Sequence, residues 1–340
     1  MSERHRLRSD LEPILPRIQA PASLTSLHPA RGALPARFRR ERVLVVGCGD
    51  VGLRTVRLLR GRASLLALTS SPQRIAGLRA EGLRVLQGNL DVPISLRRLA
   101  GLATRVLHLA PPPSDRPDAQ SRDPRTAALV AALRMRTAPR ALVYGSTTGV
   151  YGDCAGAWVD ESRTLAARTP RALRRCDAES TVRLWARASV QTASGAVRTS
   201  ILRIPGIYAP DRAGGTPRER LLRGMPVLRA QDDVHTNHIH ADDLARACLR
   251  ALWAPAARRV VNVCDDSDLR MGDYYDFAAD LYGLPRPARV TRAEAERTLP
   301  PMTLSFMGES RRLRNHRMKR ELGLRLRYPT VREGLRRPTA

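Results

Sequence analysis

The chain has 340 residues, of which 43% are hydrophobic, and this length suits one large α/β domain with a smaller lobe. Its 59 Lys and Arg residues against 32 Asp and Glu residues give a formal net charge of +27, and Lys319 is the only lysine. The arginines are spread over the whole length and only 4% of the residues are aromatic, so coding bias explains the charge better than a nucleic-acid surface. We therefore expect non-specific binding of polyanions that fades with salt, and a dedicated nucleic-acid surface is the less favoured explanation of the charge.

The sequence shows no sign of export or membrane insertion. No run approaches the roughly 18 apolar residues that a membrane helix needs, and no apolar segment follows the polar N-terminus. The five cysteines lack C-x-x-C spacing, which argues against a disulfide framework or a metal site and suits the cytoplasm. Residues 1–40 are basic, interrupted by prolines and poor in apolar periodicity, which predicts a disordered tail.

A short apolar strand, Val43–Val46, leads into glycines at G-x-G-x-x-G spacing, and a helix follows. Gly47 would allow the tight turn, Gly49 the close approach of a pyrophosphate, and Gly52 the packing of the helix on the strand. The uncovered N–H groups at the start of the helix would face the phosphates. The predicted contacts of a dinucleotide here are Gly47, Gly49, Asp50, Val51 and Gly52.

The end of the second strand, Ser64–Thr69, bears on which dinucleotide is bound. NAD-specific folds place an Asp or Glu here to bind the ribose 2′-OH. This chain has no carboxylate from Ser70 to Arg74, and Ser70 and Arg74 could bind a 2′-phosphate. We therefore expect NADP to be preferred over NAD. The alternative is that this segment is only structural, with Ser71 capping a helix that begins at Pro72.

Further strands are predicted at Leu83–Gln87, Arg105–Leu109 and Ala141–Gly145, with helices between them. This regular alternation predicts an α/β fold with a doubly wound parallel sheet. At the strand ends, Asn89 could reach an adenine edge or form an Asx turn. The predicted cofactor contacts at these strand ends are Asn89, Leu90, Leu109, Ala110 and Pro111.

The second half of the chain mixes returning sheet elements with a lobe. We predict a nucleotide-binding domain over residues 41–210 and a substrate lobe over 211–340, with 236–265 returning to the sheet. Asp242 is the predicted N-cap of a helix that buries Leu244, Cys248 and Leu252. The remaining predicted elements are a helix at 171–188, strands at 198–204 and 259–263, a helix at 271–282, and helical stretches near 293–297 and 309–321.

Six segments in order resemble the extended short-chain dehydrogenase/reductase family, of the NAD-dependent epimerase/dehydratase type. They are GCGDVG, GNLD, VLHLAPP, YGSTTGVYGD, LRIPGIYAP and NHIHADDLARA. The resemblance covers about residues 42–265, and YPTVREGLR resembles the usual ending of the family. It implies a Rossmann-type doubly wound sheet, a small C-terminal α/β lobe, and a small carbonyl or hydroxyl substrate such as a nucleotide sugar.

The resemblance also identifies candidate catalytic positions. The family's substrate-binding hydroxyl falls on Thr147, whose alternative role is to bond backbone at the strand end. The family's Tyr-x-x-x-Lys pair falls on Arg171 and Arg175, since Glu179 matches the glutamate that follows it. Arg175 could bind the ribose, but an arginine at position 171 cannot be a general acid near neutral pH. Another donor is needed, and the candidates are Tyr151, Tyr208 and His240, each with a structural alternative.

Three functions stay open at this point. The first is an NAD(P)-dependent oxidoreductase or epimerase with an atypical proton donor and a small-molecule substrate. The second is a catalytically silent NAD(P)-binding sensor or scaffold, favoured by the missing pair. The third is a polyanion-binding protein, favoured only by the charge. The oligomeric state is not determined by the sequence, and a homodimer is one option.

Overall fold

A computed structural model describes residues 41–113, 121–189, 196–254 and 256–336. The predicted tail over residues 1–40 lies outside the described residues.

A seven-stranded parallel sheet forms the centre, in the order β12-β7-β5-β4-β1-β2-β3. This arrangement confirms the predicted doubly wound α/β fold. The strand order reverses between β1 and β4, and in such sheets ligands bind beyond the carboxyl ends at this reversal. The seven strands are β1 Arg42–Val46, β2 Ser64–Thr69, β3 Arg84–Gln87, β4 Arg105–His108, β5 Ala141–Thr147, β7 Arg198–Ile204 and β12 Arg259–Asn262.

The other strands are short and form two-stranded pairs, in which β8 pairs with β11, β6 with β15, β9 with β14, and β10 with β13. Most of these pairs come from the second half of the chain. They are β6 Trp158–Val159, β8 Gly206–Tyr208, β9 Val227–Leu228, β10 His235–Thr236, β11 His238–His240, β13 Leu269–Arg270, β14 Arg289–Val290 and β15 Arg312–Leu313.

Helices cover both faces of the sheet, which is why Val43–Val46 of β1 are all apolar and buried. On one face, alternate β1 residues such as Val43 and Val45 pack with α1 and α6; on the other, Leu44 and Val46 belong to the cluster that α3 and α4 complete. The helices are α1 Asp50–Leu59, α2 Arg74–Ala80, α3 Pro124–Arg134, α4 Pro170–Ala188, α5 Arg218–Leu222, α6 Ala241–Trp253, α7 Met271–Tyr282, α8 Arg292–Thr298, α9 Pro301–Met307, α10 His316–Glu321 and α11 Val331–Gly334. Two 3-10 helices span Pro93–Leu99 and Thr148–Tyr151.

Neither of the two helix caps considered from the sequence forms, because the side chains bond other groups. The N-cap of α6 is His240 rather than Asp242, because the His240 ring nitrogen accepts a hydrogen bond from the Asp242 N–H. Ser71 caps no helix, since α2 begins only at Arg74 and the Ser71 hydroxyl bonds Gln73.

The predicted helical stretch at 309–321 is also wrong in its first half. Arg312–Leu313 instead pairs as β15 with β6, a contact between residues far apart in sequence. Helix α10 occupies only His316–Glu321.

A buried carboxylate joins α4 to the ends of β5 and β7. Glu179 has no exposed side-chain surface, and Arg203 binds it through two N–H groups at 3.1 and 2.8 Å. Glu179 also accepts hydrogen bonds from Ser146 at 2.7 Å and from Arg183 at 2.7 Å. The pair therefore fixes the position of helix α4 relative to the two strands beside the reversal of the sheet.

Replacing Glu179 by Ala should destabilise the protein strongly. It leaves the buried Arg203 guanidinium without its counter-charge, and we expect the free energy of unfolding to fall by about 3–5 kcal/mol. Urea denaturation measures this, with the exposed Glu296→Ala as the control that should change stability by less than about 0.5 kcal/mol. Equal loss in both variants would contradict the role given to the buried pair.

Candidate active site

The glycine loop between β1 and α1 has the geometry that the sequence indicates. Gly47 has a φ of +93°, and a Cβ there would lie 2.3 Å from the Ala110 nitrogen. A Cβ on Gly52 would lie 2.8 Å from the Gly47 carbonyl oxygen, so the helix packs directly on the loop. A Cβ on Gly49 would meet nothing within 4 Å, which leaves open space beside the backbone.

The start of α1 can receive negative charge. Its N-cap, Gly49, has no side chain to bond the first N–H groups. The one acidic residue of the first turn, Asp50, pairs with Arg54 at 3.0 Å and with Arg212 at 2.7 Å. The arginines offset the carboxylate charge, so it opposes a bound phosphate less than an unpaired Asp would.

A cavity of about 610 Å³ opens over the loop at the carboxyl edge of the sheet. Its lining comes from the glycine loop and α1, from the ends of β5 and β7 with α4, and from α7, α9 and the segment around β10. Among the predicted site residues, the cavity wall includes Gly47, Gly49, Asp50, Val51, Gly52, Leu109, Thr147, Arg171 and Arg175. The structure thus brings the loop together with three of the four predicted catalytic positions.

Thr147 ends β5 at the cavity wall, and its hydroxyl oxygen accepts a hydrogen bond from the Gly149 N–H at 3.3 Å. The Arg175 guanidinium is held by the Gly145 carbonyl oxygen at 2.6 Å and the Tyr144 hydroxyl at 3.2 Å. Arg171, one turn earlier on α4, places its guanidinium carbon 4.7 Å from the centre of the Phe306 ring. All three side chains are therefore positioned by the main chain or by a ring.

The remaining predicted cofactor contacts lie at the neighbouring strand ends, outside the cavity wall. Arg74 donates to the Cys48 carbonyl oxygen, which places its guanidinium against the glycine loop. The Asn89 side-chain oxygen accepts from the Asp91 N–H at 2.9 Å and so forms the Asx turn. The others in this group are Ser70, Leu90, Ala110 and Pro111.

The three candidate proton donors lie outside the cavity wall. Tyr151 is buried, and its hydroxyl donates to Asn262 at 2.7 Å. Tyr208 is buried and donates to the Thr330 carbonyl oxygen at 3.2 Å, while His240 caps α6 and stacks on Tyr328. Because each makes a structural contact, the geometry favours the structural alternative for all three.

The lobe supplies cavity residues that sequence reasoning missed. They are His235, His238, Tyr274, Tyr275, Glu309 and Arg311. No spacing in the sequence predicts them, because they come from separate elements. These are β10, β11, α7 and the segment before β15, which only the folded chain brings together. The NHIHADD segment did draw attention to this region, but from it we predicted a candidate role for His240 and none for His238, two residues earlier.

His238 is a buried imidazole on the cavity wall. It is 7% exposed, its ring centre lies 4.3 Å from that of Tyr274, and its Nε2 has no hydrogen-bond partner among the described residues. Burial lowers the pKa of His238 to about 4. The side chain is thus a neutral polar group that faces the cavity at neutral pH.

Two searches of the described residues found nothing. No group of three or more His, Cys, Asp or Glu side chains there could hold a metal ion. No helix in the described ranges is long and apolar enough to cross a bilayer.

The chain belongs to the NAD dependent epimerase/dehydratase family, which it matches over residues 43–264. This agrees with the order of motifs in the sequence and with the glycine loop, the doubly wound sheet and the cavity at its reversal. A comparison with curated protein sequences found no match.

Solved structures with the same fold include proteins of known and unknown function. A functionally unknown conserved protein from Silicibacter pomeroyi is 31% identical, with a TM-score of 0.70 over 87% of this chain and 96% of that one. The UDP-glucose 4-epimerase of Thermotoga maritima, solved with UDP-glucose, is 18% identical, with a TM-score of 0.69 over 86% and 96%. The human epimerase family protein SDR39U1, solved with NADPH, is 18% identical, with a TM-score of 0.67 over 86% and 97%. At 18% identity, the last two show the fold alone.

Acid should destabilise the protein through His238. The unfolded chain takes up a proton on this histidine near pH 6.5, whereas the folded chain does so only near pH 4. The unfolded state therefore binds more protons between these values, and stability falls by about 1.4 kcal/mol for each pH unit lost in this window. Denaturation at a series of pH values should show a shallower dependence for His238→Gln and an unchanged one for the exposed His316→Gln. The same slope in all three proteins would contradict the assignment.

Proposed function

We propose that the protein is an NAD(P)-dependent oxidoreductase or epimerase that acts on a small carbonyl or hydroxyl compound, or on a nucleotide-sugar-type substrate. The observation that carries the proposal is that Thr147 and the first turn of α1 share one cavity. Membership of the family and the NADPH and UDP-glucose named with two structures of the same fold add support.

The residues at the loop fit a dinucleotide. The open space at Gly49 and the uncapped start of α1 offer backbone N–H groups to a pyrophosphate. Arg175 would bind a ribose hydroxyl with the N–H groups that Gly145 and Tyr144 do not use. When bound, the nicotinamide would supply or accept a hydride, and Thr147 would orient the substrate oxygen by a hydrogen bond.

Of the two nicotinamide cofactors, we propose that NADP is preferred. The Arg74 guanidinium lies against the glycine loop at the end of β2, where a 2′-phosphate would lie in this fold. The segment from Ser70 to Arg74 carries no carboxylate that would repel this phosphate. A planar guanidinium is also well suited to bind phosphate oxygens through paired hydrogen bonds.

Replacing Arg74 by Gln should weaken NADPH binding about tenfold or more and leave NADH binding unchanged, because only NADPH carries the phosphate. Calorimetric titration of both cofactors measures this. Arg79→Gln, an exposed change on the same helix, should affect neither affinity. Tighter binding of NADH than NADPH by the natural protein would refute the preference.

The proton donor is the atypical part of the site. Arginines replace the family's tyrosine and lysine at positions 171 and 175, so the proton must come from elsewhere on the cavity wall. We infer that His235 supplies it, since imidazole most often performs acid–base catalysis near neutral pH. Its ring lies on the cavity wall, and its Nδ1 is 3.3 Å from an Asp268 carboxylate oxygen without forming a hydrogen bond to it.

A cofactor-binding protein without turnover is the second candidate, because Arg171 occupies the place of the family's acid. Consumption of NADPH with aldehydes, ketones and nucleotide sugars separates the two. For the enzyme we expect turnover with at least one compound, and a loss of about 100-fold in kcat/KM for Thr147→Ala through the missing hydrogen bond. His235→Gln should also lose turnover, whereas the exposed Thr298→Ala should not. Tight NADPH binding with no consumption by any compound would favour the silent protein.

A further inference from the structure

The cavity wall carries more positive than negative charge. Its five arginines are Arg171, Arg175, Arg212, Arg220 and Arg311, and its two carboxylates are Asp50 and Glu309. Arg212 pairs with Asp50 at 2.7 Å, and Arg311 pairs with Glu309 at 2.8 Å. The other three arginines form no ion pair with any described carboxylate. The cavity therefore favours an anionic occupant.

Two of these three arginines are held by neutral protein groups. Arg175 donates to Gly145 and Tyr144, as described above. Arg220 donates to the Pro226 carbonyl oxygen at 3.1 Å and lies 4.7 Å from the centre of the Tyr275 ring. Their positions are thus determined largely by the protein itself.

Arg171 differs from both. Among the described residues it has no hydrogen-bond or ion-pair partner, and its guanidinium lies over the Phe306 ring, which is on the cavity wall as well; the Glu309 carboxylate acts on it only from a distance. A ring over the guanidinium face leaves the in-plane N–H groups uncovered. These N–H groups form the fork that binds a carboxylate or phosphate through two parallel hydrogen bonds.

A second observation points to a polar ligand in the same cavity. His238 and Arg311 line the cavity, and the His238 Nε2 and the Arg311 Nε are buried with no hydrogen-bond partner among the described residues. Buried polar atoms are nearly always bonded, and those that are not require an explanation. A polar substrate would provide their partners after a small rearrangement of the wall that brings the two atoms to the cavity surface.

We propose that the substrate carries a carboxylate or phosphate on the same moiety as its reacting carbon, and that Arg171 binds this oxyanion. The proposal rests on the proposed function for the position of the reacting carbon beside Thr147. It makes Arg171 a residue that determines substrate specificity rather than an acid. The place of the family's tyrosine has then become an anchor for an anion, and neutral carbonyl compounds should be poor substrates.

The test measures the affinity of two probes, malonate and inorganic phosphate, at constant ionic strength. Each is titrated into the natural protein with and without NADPH and followed by calorimetry. We expect binding of at least one probe, weakened about tenfold or more in Arg171→Gln, because a charge-assisted pair of hydrogen bonds is lost. Malonate binding more tightly would identify a carboxylate, and phosphate binding more tightly a phosphate.

Two further variants make the result specific. Arg187→Gln removes an exposed arginine from the last turn of the same helix and should leave both affinities unchanged. Arg171→Lys keeps the charge without the fork, so its affinity should lie between those of the natural protein and Arg171→Gln. The thermal midpoint and the NADPH affinity of each variant show whether the fold is intact.

The outcomes separate this inference from the proposed function. The inference is overturned if Arg171→Gln and Arg171→Lys bind both probes as tightly as the natural protein, or if the natural protein binds neither probe. In either case, NADPH binding would still support the proposed function. Failure to bind NADPH would remove the function, yet Arg171-dependent binding of a probe without cofactor would still support the anion site.

Discussion

The buried carboxylate of Glu179 is the contact on which the site depends. It receives hydrogen bonds from Ser146 at the end of β5 and from Arg203 near the end of β7, while its own helix α4 carries Arg171 and Arg175. The two strands and the helix that form one wall of the cavity are thereby held in a single arrangement. A buried charge has few alternative partners, so this arrangement is strongly specified.

On the other wall of the cavity the constraint is steric rather than ionic. Gly47 and Gly52 bring the loop, α1 and the Ala110 backbone so close together that no side chain fits between them. The same packing leaves the helix start uncovered at Gly49. Close packing thus forms the proposed phosphate site, and two arginines beside Asp50 offset the negative charge of the first turn.

At positions 171 and 175 of the cavity wall, the residue types differ from the pattern that the family resemblance implies. Arg171 and Arg175 both line the cavity, but their contacts differ. Arg175 is held by Gly145 and Tyr144, whereas Arg171 lies against the Phe306 ring. A protonated arginine binds anions well and transfers protons poorly. On our proposals, acid–base work therefore falls to other side chains, and Arg171 binds a substrate anion.

The sequence by itself determined the parts whose physics is local. The apolar run Val43–Val46, the three glycines and the alternation of strands and helices were enough for the sheet and the loop, because short-range sterics and periodicity dictate them. Only the tertiary structure decided the rest. It buried Tyr151 and Tyr208, made His240 a cap, turned Arg312–Leu313 into a strand, and brought His235 and His238 to the cavity. Those outcomes depend on which distant side chains compete for the same partners and space, and no spacing along the chain records that competition.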